Sequence, residues 1–334
     1  MADTIKTVKS SGGDYSSLNA WEAGQQKSIT AGDREIAECY AFEDNPGTYT
    51  AISGWTVPSG AEIIVRAASG QQHTGVRGTG YRLVANTALV TLNVAQDYVT
   101  LQGIAVRGTY TSSGSGSETV RCNSIQNLRI LSCLIESELP DGAALRIGVH
   151  DAANRNAIIA NTIVNAAGTS AGALEIGGQV YGYNCAFING GNGHAIYEYN
   201  VSYNNPKFKN CYLHRGTGTN VFDYGYGPTP TWTTCRHSTS QSITGSTGST
   251  AYSTANFTNV TSGSENLALV SGSALIDAGT DLSADSDYAF STDILGATRS
   301  GTWEVGPFNY AAAASLSPPP FRTQARRIAP LLGF

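Results

Sequence analysis

Charge is scarce in this sequence. Charged residues make up 13% of the 334 residues, about half the share of a typical soluble domain. The formal net charge is −5, and no basic cluster stands out, so a nucleic-acid partner is not expected. Thirty-eight glycines and many serines, threonines and asparagines take the place of charge. The composition predicts a neutral, polar exterior.

Long apolar runs are also missing. No stretch approaches the roughly 18 apolar residues of a transmembrane helix, so a membrane span is not expected. The first residues, Met1-Ala-Asp-Thr4, have neither the basic start nor the apolar stretch of a signal peptide. We therefore expect the chain to be made in a reducing cytoplasm.

The cysteines lack the spacing of a metal site. None of the six cysteines forms a C-x-x-C pair, and the histidines form no ligand pair at a useful spacing. The sequence predicts no metal and no cofactor, and it favours free, buried thiols over disulfides. Glu136, Glu138 and Asp141 form an acidic turn, which either holds a cation or, the preferred interpretation, is solvated.

A repeat of about two dozen residues is the main positive feature. In Val99-Thr-Leu-Gln-Gly-Ile-Ala-Val106 two alternating apolar positions precede a small polar corner, and two more follow it. Alternation of this kind is typical of strands. Later copies are spaced by 29, 29, 23, 26 and 24 residues, counted from anchors at Ile104, Cys133, Thr162, Cys185, Cys211 and Cys235. A period in the twenties indicates a solenoid.

A second series of strands supports the repeat. Its buried positions are spaced by 25, 29, 22 and 25 residues, and they are Val120, Leu145, Leu174, Ile196 and Val221. We therefore predict an all-β, right-handed parallel β-helix with a short N-terminal capping helix and an extended C-terminal tail. The handedness is the usual bias of parallel crossovers. An irregular β-sandwich is the alternative.

Stacking of the coils brings equivalent residues into columns. The predicted corners are small or amide residues that tolerate positive φ, namely Gly103, Ser132, Asn161, Asn184, Asn210 and Thr234. The anchor cysteines are expected to stack in the same way, with Cys185 next to Cys211.

Four segments are predicted along the chain. Residues 1–55 form an N-terminal cap and the first strands, residues 56–265 the β-helix coils, residues 266–310 a closing segment, and residues 311–334 a proline-rich tail. Residues 14–22 favour a short amphipathic helix opened by Ser16 or Ser17, which covers the first coil. The Ser/Gly-rich stretch 238–250 is expected to protrude as a surface loop.

Two stretches resemble known β-helical proteins. Gly13-Asp-Tyr-Ser-Ser-Leu-Asn-Ala20 is similar to the start of many pectate-lyase-like and pectin-esterase-like proteins. The closing stretch from Ala274-Leu-Ile-Asp-Ala-Gly279 to Phe308 resembles the end of many β-helix-repeat proteins, except at Pro307. The second resemblance implies that Asp277, Asp293 and Arg299 fasten the last coil. Pectate lyases need a calcium-binding aspartate cluster, and the first strand series has no aspartate column.

Glu198 and Asp223 are the candidate catalytic residues. They fall on consecutive coils, so an unbroken register places their Cα atoms about 4.8 Å apart. Two carboxylates at that distance raise one pKa and suit a retaining glycosidase. The alternative is a bulge that leaves both side chains in solvent.

Two outward columns of side chains are predicted. The first is Arg121, Arg146, Glu175, Tyr197 and Phe222, in which Arg146 and Glu175 form a surface ion pair. The second runs through Arg129, Ile158, Tyr181 and Lys207, and together with Tyr197 it suits a glycan or another subunit. Tyrosine, lysine and arginine side chains on an elongated face favour stacking on sugars or an aromatic-rich contact between subunits. The residues concerned are Arg129, Tyr181, Tyr183, Tyr197, Lys207 and Lys209.

The tail carries a different prediction. It has three prolines in a row, three arginines and no acid, so it forms no core of its own and needs a surface to lie on. We expect it to anchor the chain to other virion proteins through Phe321, Arg322, Arg326, Arg327, Leu331, Leu332 and Phe334.

The preferred functional hypothesis is a structural protein of a virion, most plausibly that of a tailed bacteriophage. It would be a spike, fibre or capsid decoration subunit that is made in the host cytoplasm, assembles as a homotrimer and binds host-surface glycans. The alternatives are a polysaccharide lyase or glycoside hydrolase on the same scaffold, and a passive glycan-binding module.

Overall fold

The computed structural model describes residues 2–87, 89–110, 117–123, 125–148, 156–166, 171–199, 205–224 and 230–310. Over these residues the chain is an all-β, right-handed parallel β-helix, as predicted. Among the described residues, seven coils each contribute one strand to each of three parallel sheets, and the end coils contribute fewer strands. No helix among the described residues is long and apolar enough to cross a membrane.

The strands of the three sheets are as follows. Sheet 1 has nine strands: β1 (Asp3–Val8), β2 (Arg34–Cys39), β5 (Glu62–Ala67), β8 (Val99–Gln102), β11 (Leu128–Leu131), β14 (Asn156–Ala160), β17 (Gln179–Tyr183), β20 (Lys207–Lys209) and β23 (Thr231–Thr233). Sheet 2 has nine: β3 (Glu43–Asp44), β6 (Arg82–Ala85), β9 (Ala105–Gly108), β12 (Leu134–Ser137), β15 (Ile163–Ala166), β18 (Ala186–Asn189), β21 (Tyr212–Arg215), β24 (Cys235–His237) and β25 (Ser246–Ser249). Sheet 3 has seven: β4 (Thr50–Ile52), β7 (Val90–Val94), β10 (Glu118–Asn123), β13 (Ala143–Gly148), β16 (Leu174–Ile176), β19 (Ile196–Glu198) and β22 (Phe222–Tyr224).

The predicted corners join sheet 1 to sheet 2. All six adopt positive φ, with values of 68° at Gly103, 51° at Ser132 and 48° at Asn184, for example. This left-handed conformation turns the chain sharply between two strands, and glycine and asparagine adopt it at little cost. The corner column therefore follows from residue types visible in the sequence.

The predicted cysteine stack is present inside the coils. The backbone N–H of Cys211 donates to Cys235 Sγ over 3.4 Å. All six cysteines are free and buried. Burial raises the pKa of the Cys133 thiol to about 12, so this thiol stays protonated and packs as a small apolar group.

A short helix covers the first coil. Helix α1 (Leu18–Gln25) begins after Ser17, whose Oγ accepts a 3.1 Å hydrogen bond from the backbone N–H of Ala20. Leu18 and Trp21 are fully buried in the main core, and the Trp21 ring stacks on Trp55 at 5.6 Å between centroids. The helix thus shields the apolar end of the solenoid, as the sequence predicted.

The stretch 238–250 closes the other end, so its prediction as a protruding loop is wrong. The Gln241 side chain accepts from the Phe222 backbone N–H at 3.1 Å and donates to the Phe222 carbonyl at 2.9 Å. It thereby replaces the strand that would follow β22. Ile243 packs against the core, and Ser246–Ser249 form β25 at the edge of sheet 2.

Residues beyond 250 return along the outside of the solenoid. An antiparallel hairpin of β26 (Phe257–Asn259) and β27 (Asn266–Leu269) packs on the outer face of sheet 2, together with Leu275, Ile294 and Phe308. Leu282, Phe290 and Trp303 pack on the outer face of sheet 1. The C-terminal segment (residues 250–310) therefore covers two of the three sheets. The predicted tail, residues 311–334, lies outside the described residues.

The corner asparagines hold the C-terminal segment in place. Their Nδ2 groups donate to carbonyls of Thr292, Glu304 and Thr280 at 2.8, 2.9 and 2.7 Å, from Asn161, Asn184 and Asn210 respectively. Arg299 is buried beside them and donates to Glu304 Oε2 at 3.2 Å and to the Pro307 carbonyl at 2.8 Å. Asp293 accepts from Leu295 and Ala297, whereas Asp277 is an exposed positive-φ residue. The segment is thus fastened along the side of several coils and not onto the last coil alone.

Candidate ligand-binding face

The predicted tyrosine–lysine column has the predicted register. Tyr181 lies opposite Lys207, and Tyr183 opposite Lys209, on the outer face of sheet 1. The C-terminal segment covers all four. Tyr183 is fully buried against Tyr288 and Phe290, Lys207 Nζ lies 2.9 Å from Asp287 Oδ2, and Lys209 pairs with Asp285.

The chain itself therefore occupies the surface that the sequence assigned to a glycan or a second subunit. Arg129, in the same column, is half exposed and lies 3.9 Å from Glu62. Of the six residues predicted for such a contact, Tyr181 and Tyr183 are buried, whereas the other four keep part of their side chains in solvent.

The predicted adjacency of Glu198 and Asp223 is wrong. Sheet 3 pairs Ile196 with Phe222 and Tyr197 with Asp223, one residue later than the predicted pairing of Ile196 with Val221. Since side chains alternate along a strand, Glu198 faces the interior, fully buried, while Asp223 faces outward. The geometry of a catalytic carboxylate pair is absent.

The outer surface of sheet 3 is the remaining candidate. The apolar clusters through which the C-terminal segment packs contain outer residues of sheets 1 and 2 and, among the described residues, none of sheet 3. We call this surface the open face. Its main column has one residue per coil, at a spacing of about 4.8 Å, in the order Arg121, Arg146, Glu175, Tyr197 and Asp223.

A buried carboxylate organises the two arginines of the open face. Glu118 is 1% exposed. Arg121 Nε donates to Glu118 Oε2 over 2.8 Å, and Arg146 Nη1 donates to Glu118 Oε1 over 2.9 Å. Because each guanidinium is tied to the same carboxylate, both are held flat against the sheet with one edge still in solvent.

Glu175 lies on the next coil. Its Oε2 is 4.0 Å from Arg146 Nε. Burial raises the pKa of the Glu175 carboxyl, and the nearby Arg146 opposes that effect. The open face thus holds a second, less shielded carboxyl group beside the same guanidinium.

Tyr199 forms a flat platform next to this cluster. Arg146 lies over its ring, with 4.4 Å from the guanidinium carbon to the ring centroid. The ring crosses two coils at Gly148 and Gly177, where an added Cβ would come within 2.6 Å of Tyr199 atoms. Both glycines are therefore needed for the ring to lie flat.

The part of the open face formed by β19 and β22 is aromatic and acidic. The His194 ring stacks on Tyr197 with a 20° interplanar angle and a 6.2 Å centroid separation. His194 Nε2 lies 3.4 Å from Asp223 Oδ2, whose carboxyl is about half exposed. Rings and hydrogen-bonding groups thus alternate along the face, an arrangement suited to polyhydroxylated ligands.

The acidic turn is occupied by arginine. Arg77 donates to Glu136 and Glu138, and Arg107 Nε lies 3.5 Å from Glu138 Oε1. No group of three or more potential metal ligands occurs among the described residues. The turn is therefore better described as an ion-pair network than as a cation site.

Comparison with known proteins gives similarity of fold. Two structures of pectin methylesterase from Aspergillus niger, one deglycosylated and one penultimately deglycosylated, are 12% and 13% identical in sequence to this chain. Each comparison has a TM-score of 0.47 and covers 74% of this chain and 89% of that chain. No protein-family model matches the chain, and no curated protein does. No residue role is transferred from these structures to this chain.

Sequence reasoning found part of the open face. It named Tyr197 and Asp223, and it placed Arg146 next to Glu175 as a surface ion pair. It missed Glu118 and Tyr199. Alternation with Val120 assigns Glu118 to the interior, whereas its hydrogen bonds to Arg121 and Arg146 place its carboxylate at the outer face, so the strand pattern gave no usable signal for it.

Proposed function

We propose that this protein is a structural β-helix subunit that binds a polymeric glycan along the open face of sheet 3. The observation that supports this proposal is a row of guanidinium, carboxyl and aromatic side chains, one per coil, on which the described part of the C-terminal segment does not pack. A polymer with repeated sugar units meets repeated side chains there, and the parallel sheet keeps their spacing constant.

The contacts of the row fit a sugar chain better than an apolar partner. Tyr197 and Tyr199 offer ring faces, while Arg146 and Glu175 offer planar groups that hydrogen-bond pairs of hydroxyls. Glu118 already neutralises part of the arginine charge, so the face is mixed in charge and does not select strongly for polyanions.

The virion role belongs to the same proposal. A rod with one open side suits a subunit displayed on a particle, in which the remaining surfaces contact neighbouring copies. The homotrimer and the anchoring tail are the forms that we propose for that assembly, and electron microscopy of the native assembly tests them directly.

Aromatic variants test the glycan proposal. We expect Tyr197→Ala and Tyr199→Ala each to weaken binding of a recognised polysaccharide by about five- to tenfold, since a ring contact contributes about 1 kcal/mol. The measurement is a glycan array followed by calorimetry on the positives. Tyr40→Ala is the matched control, because Tyr40 lies under Lys9 in the first coils. Equal losses in all three variants would contradict the proposal, as would the absence of any bound glycan.

A polysaccharide-degrading enzyme is the second candidate. The observation that favours it is the raised pKa of Glu175 beside Arg146 and Glu118, because a protonated carboxyl is what a general acid requires. Incubation with bound polysaccharides and assay of new reducing or unsaturated ends distinguishes the two. Cleavage that Glu175→Gln abolishes, with binding retained, would establish the enzyme. Binding without cleavage by the native chain supports the structural subunit.

A further inference from the structure

A separate cleft lies between the solenoid and its C-terminal hairpin. It has a volume of about 580 Å³, within the range of small-ligand sites. The outer face of sheet 2 forms one wall, and the β26–β27 hairpin and its approach form the other. Its polar lining includes Arg77, Ser137, Glu138, Asn165, His214, Tyr252, Ser262 and Glu265. None of these residues belongs to the open face of sheet 3.

The charges around this cleft nearly cancel. Arg77 donates to Glu136 at 3.0 Å and also to Glu138, and Arg107 lies beside Glu138. Glu265 is near enough to influence the pKa of both Arg77 and Glu136. The carboxylates of Glu136, Glu138 and Glu265 and the guanidiniums of Arg77 and Arg107 sum to one negative charge. An acidic ligand is therefore disfavoured.

Two polar atoms at the wall lack a partner. Tyr252 Oη and Glu265 Oε2 are buried, and neither hydrogen-bonds to any residue that the structure describes. A buried polar atom without a partner costs about 1–3 kcal/mol. The wall therefore offers one free acceptor, Glu265 Oε2, and one free hydroxyl, Tyr252 Oη, which can donate and accept. A ligand with hydroxyl groups can hydrogen-bond to both.

His214 and Tyr252 make the wall rigid and uncharged. Their rings stack at 4.0 Å between centroids with a 20° interplanar angle. His214 Nδ1 hydrogen-bonds Ser238 Oγ at 2.8 Å, which leaves Nε2 as the ring nitrogen available to a ligand. Burial lowers the pKa of His214 to about 4, so the imidazole is neutral at physiological pH and both accepts and donates hydrogen bonds.

We infer that this cleft binds one neutral sugar residue. The carboxylate of Glu265 accepts from ring hydroxyls, the Tyr252 hydroxyl completes its hydrogen bonding on the ligand, and Asn165 supplies an amide of the type that pairs with hydroxyls. The site is separate from the proposed glycan contact of the open face, and either one can exist without the other.

Monosaccharide titration tests this inference. Glucose, galactose, mannose and N-acetylglucosamine are titrated into the full chain, with binding followed by ligand-observed NMR and calorimetry. We expect at least one to bind. Tyr252→Phe should weaken that binding about tenfold, which corresponds to about 1.4 kcal/mol. It should not lower the thermal stability, because it removes only an unpartnered hydroxyl.

Controls separate the cleft from the open face. Glu265→Gln should weaken binding of the same sugar. Tyr197→Ala on the open face and Asp281→Asn on the exposed C-terminal segment should leave the affinity for that sugar unchanged. Retained affinity in Tyr252→Phe would overturn the inference. So would binding of ethanolamine in place of the sugars, or no binding of any of the four at 100-fold excess over the protein.

Discussion

Single residues with positive φ turn the chain from sheet 1 to sheet 2. The sequence identified all six corners, because glycine, serine, threonine and asparagine recur at one place in the repeat. It did not identify what the asparagines bond. Their acceptors, such as the Glu304 carbonyl for Asn184, lie 70 to 131 residues away in the sequence. No local pattern encodes a contact at that separation.

Asn184 tests the dual role of a corner. It has φ of 48°, and its Nδ2 donates to the carbonyls of Glu304 and Gly306 at 2.9 and 3.1 Å. We expect Asn184→Ala to lower the free energy of unfolding by about 3 kcal/mol, through lost hydrogen bonds and left-handed strain. Asn184→Gly should lose less, because glycine adopts this φ freely. Urea denaturation followed by circular dichroism measures both, and equal losses would exclude the backbone contribution.

The register error at β22 also has a residue-scale cause. Val221 and Phe222 are both buried, so alternation alone allows either one to continue the column after Ile196. The sequence also favoured acids on the outside, whereas Glu198 is inside. Chemistry-bearing positions are therefore the least predictable here, since they break the pattern from which register is inferred.

His73 predicts a pH dependence of stability. The ring is fully buried, with Nε2 2.8 Å from the Ser132 carbonyl and Nδ1 accepting from the Gly75 N–H at 2.9 Å. Burial lowers its pKa from 6.5 to about 4. Between these values the unfolded chain binds a proton that the folded chain does not. The free energy of unfolding should therefore fall as the pH is lowered from about 6.5 to 4, by up to about 3 kcal/mol from this residue.

His73→Gln supplies the comparison for that pH effect. Glutamine keeps a donor for the Ser132 carbonyl but does not titrate, so its unfolding free energy should change less between pH 6.5 and 4. His214 and His237, whose pKa values burial also lowers, are retained and contribute to the remaining slope. Identical pH profiles for the native chain and the variant, from urea titrations at each pH, would rule out this role for His73.

At the scale of elements, the sequence predicted a closing C-terminal segment but not the surface that this segment covers. Tyr181, Tyr183 and Ile158 were visible as apolar or aromatic side chains on the outside of a strand, which indicates a covered surface. The pattern does not say what covers it. A remote segment of the same chain can cover such a surface as well as a glycan or a second subunit can.

Trp303 is the largest apolar contact of that segment with sheet 1. It is 1% exposed, and its ring lies edge-on to Phe290 at 5.2 Å between centroids. Trp303→Ala should cost about 3–5 kcal/mol of local stability and release residues 280–303 before the coils unfold. Limited proteolysis with mass spectrometry should show faster cleavage in this segment. Thr302→Ala, at an exposed neighbour, should leave cleavage unchanged, and equal rates in all forms would contradict the expectation.

At the scale of the whole molecule, nine stacked strands in sheet 1 make a rod about 40 Å long. Helix α1 covers one end, and residues 238–250 cover the other. Covered ends hinder strand pairing between molecules, so in the assembly proposed above we expect copies to contact one another side by side or through the tail.

Truncation after residue 314 tests the tail. It should lower the oligomer mass seen by light scattering while leaving the circular dichroism of the coils intact. An unchanged mass would remove the tail from the proposed assembly.

The burial of all six cysteines has a practical consequence for labelling. Since every native thiol is buried, with the pKa raised at Cys39, Cys122, Cys133 and Cys211, none offers a fast-reacting thiolate. One cysteine engineered on the surface would then react with a maleimide dye well ahead of the six that the protein already has. Fluorescence or spin probes can therefore be placed along the rod in an otherwise unmodified background.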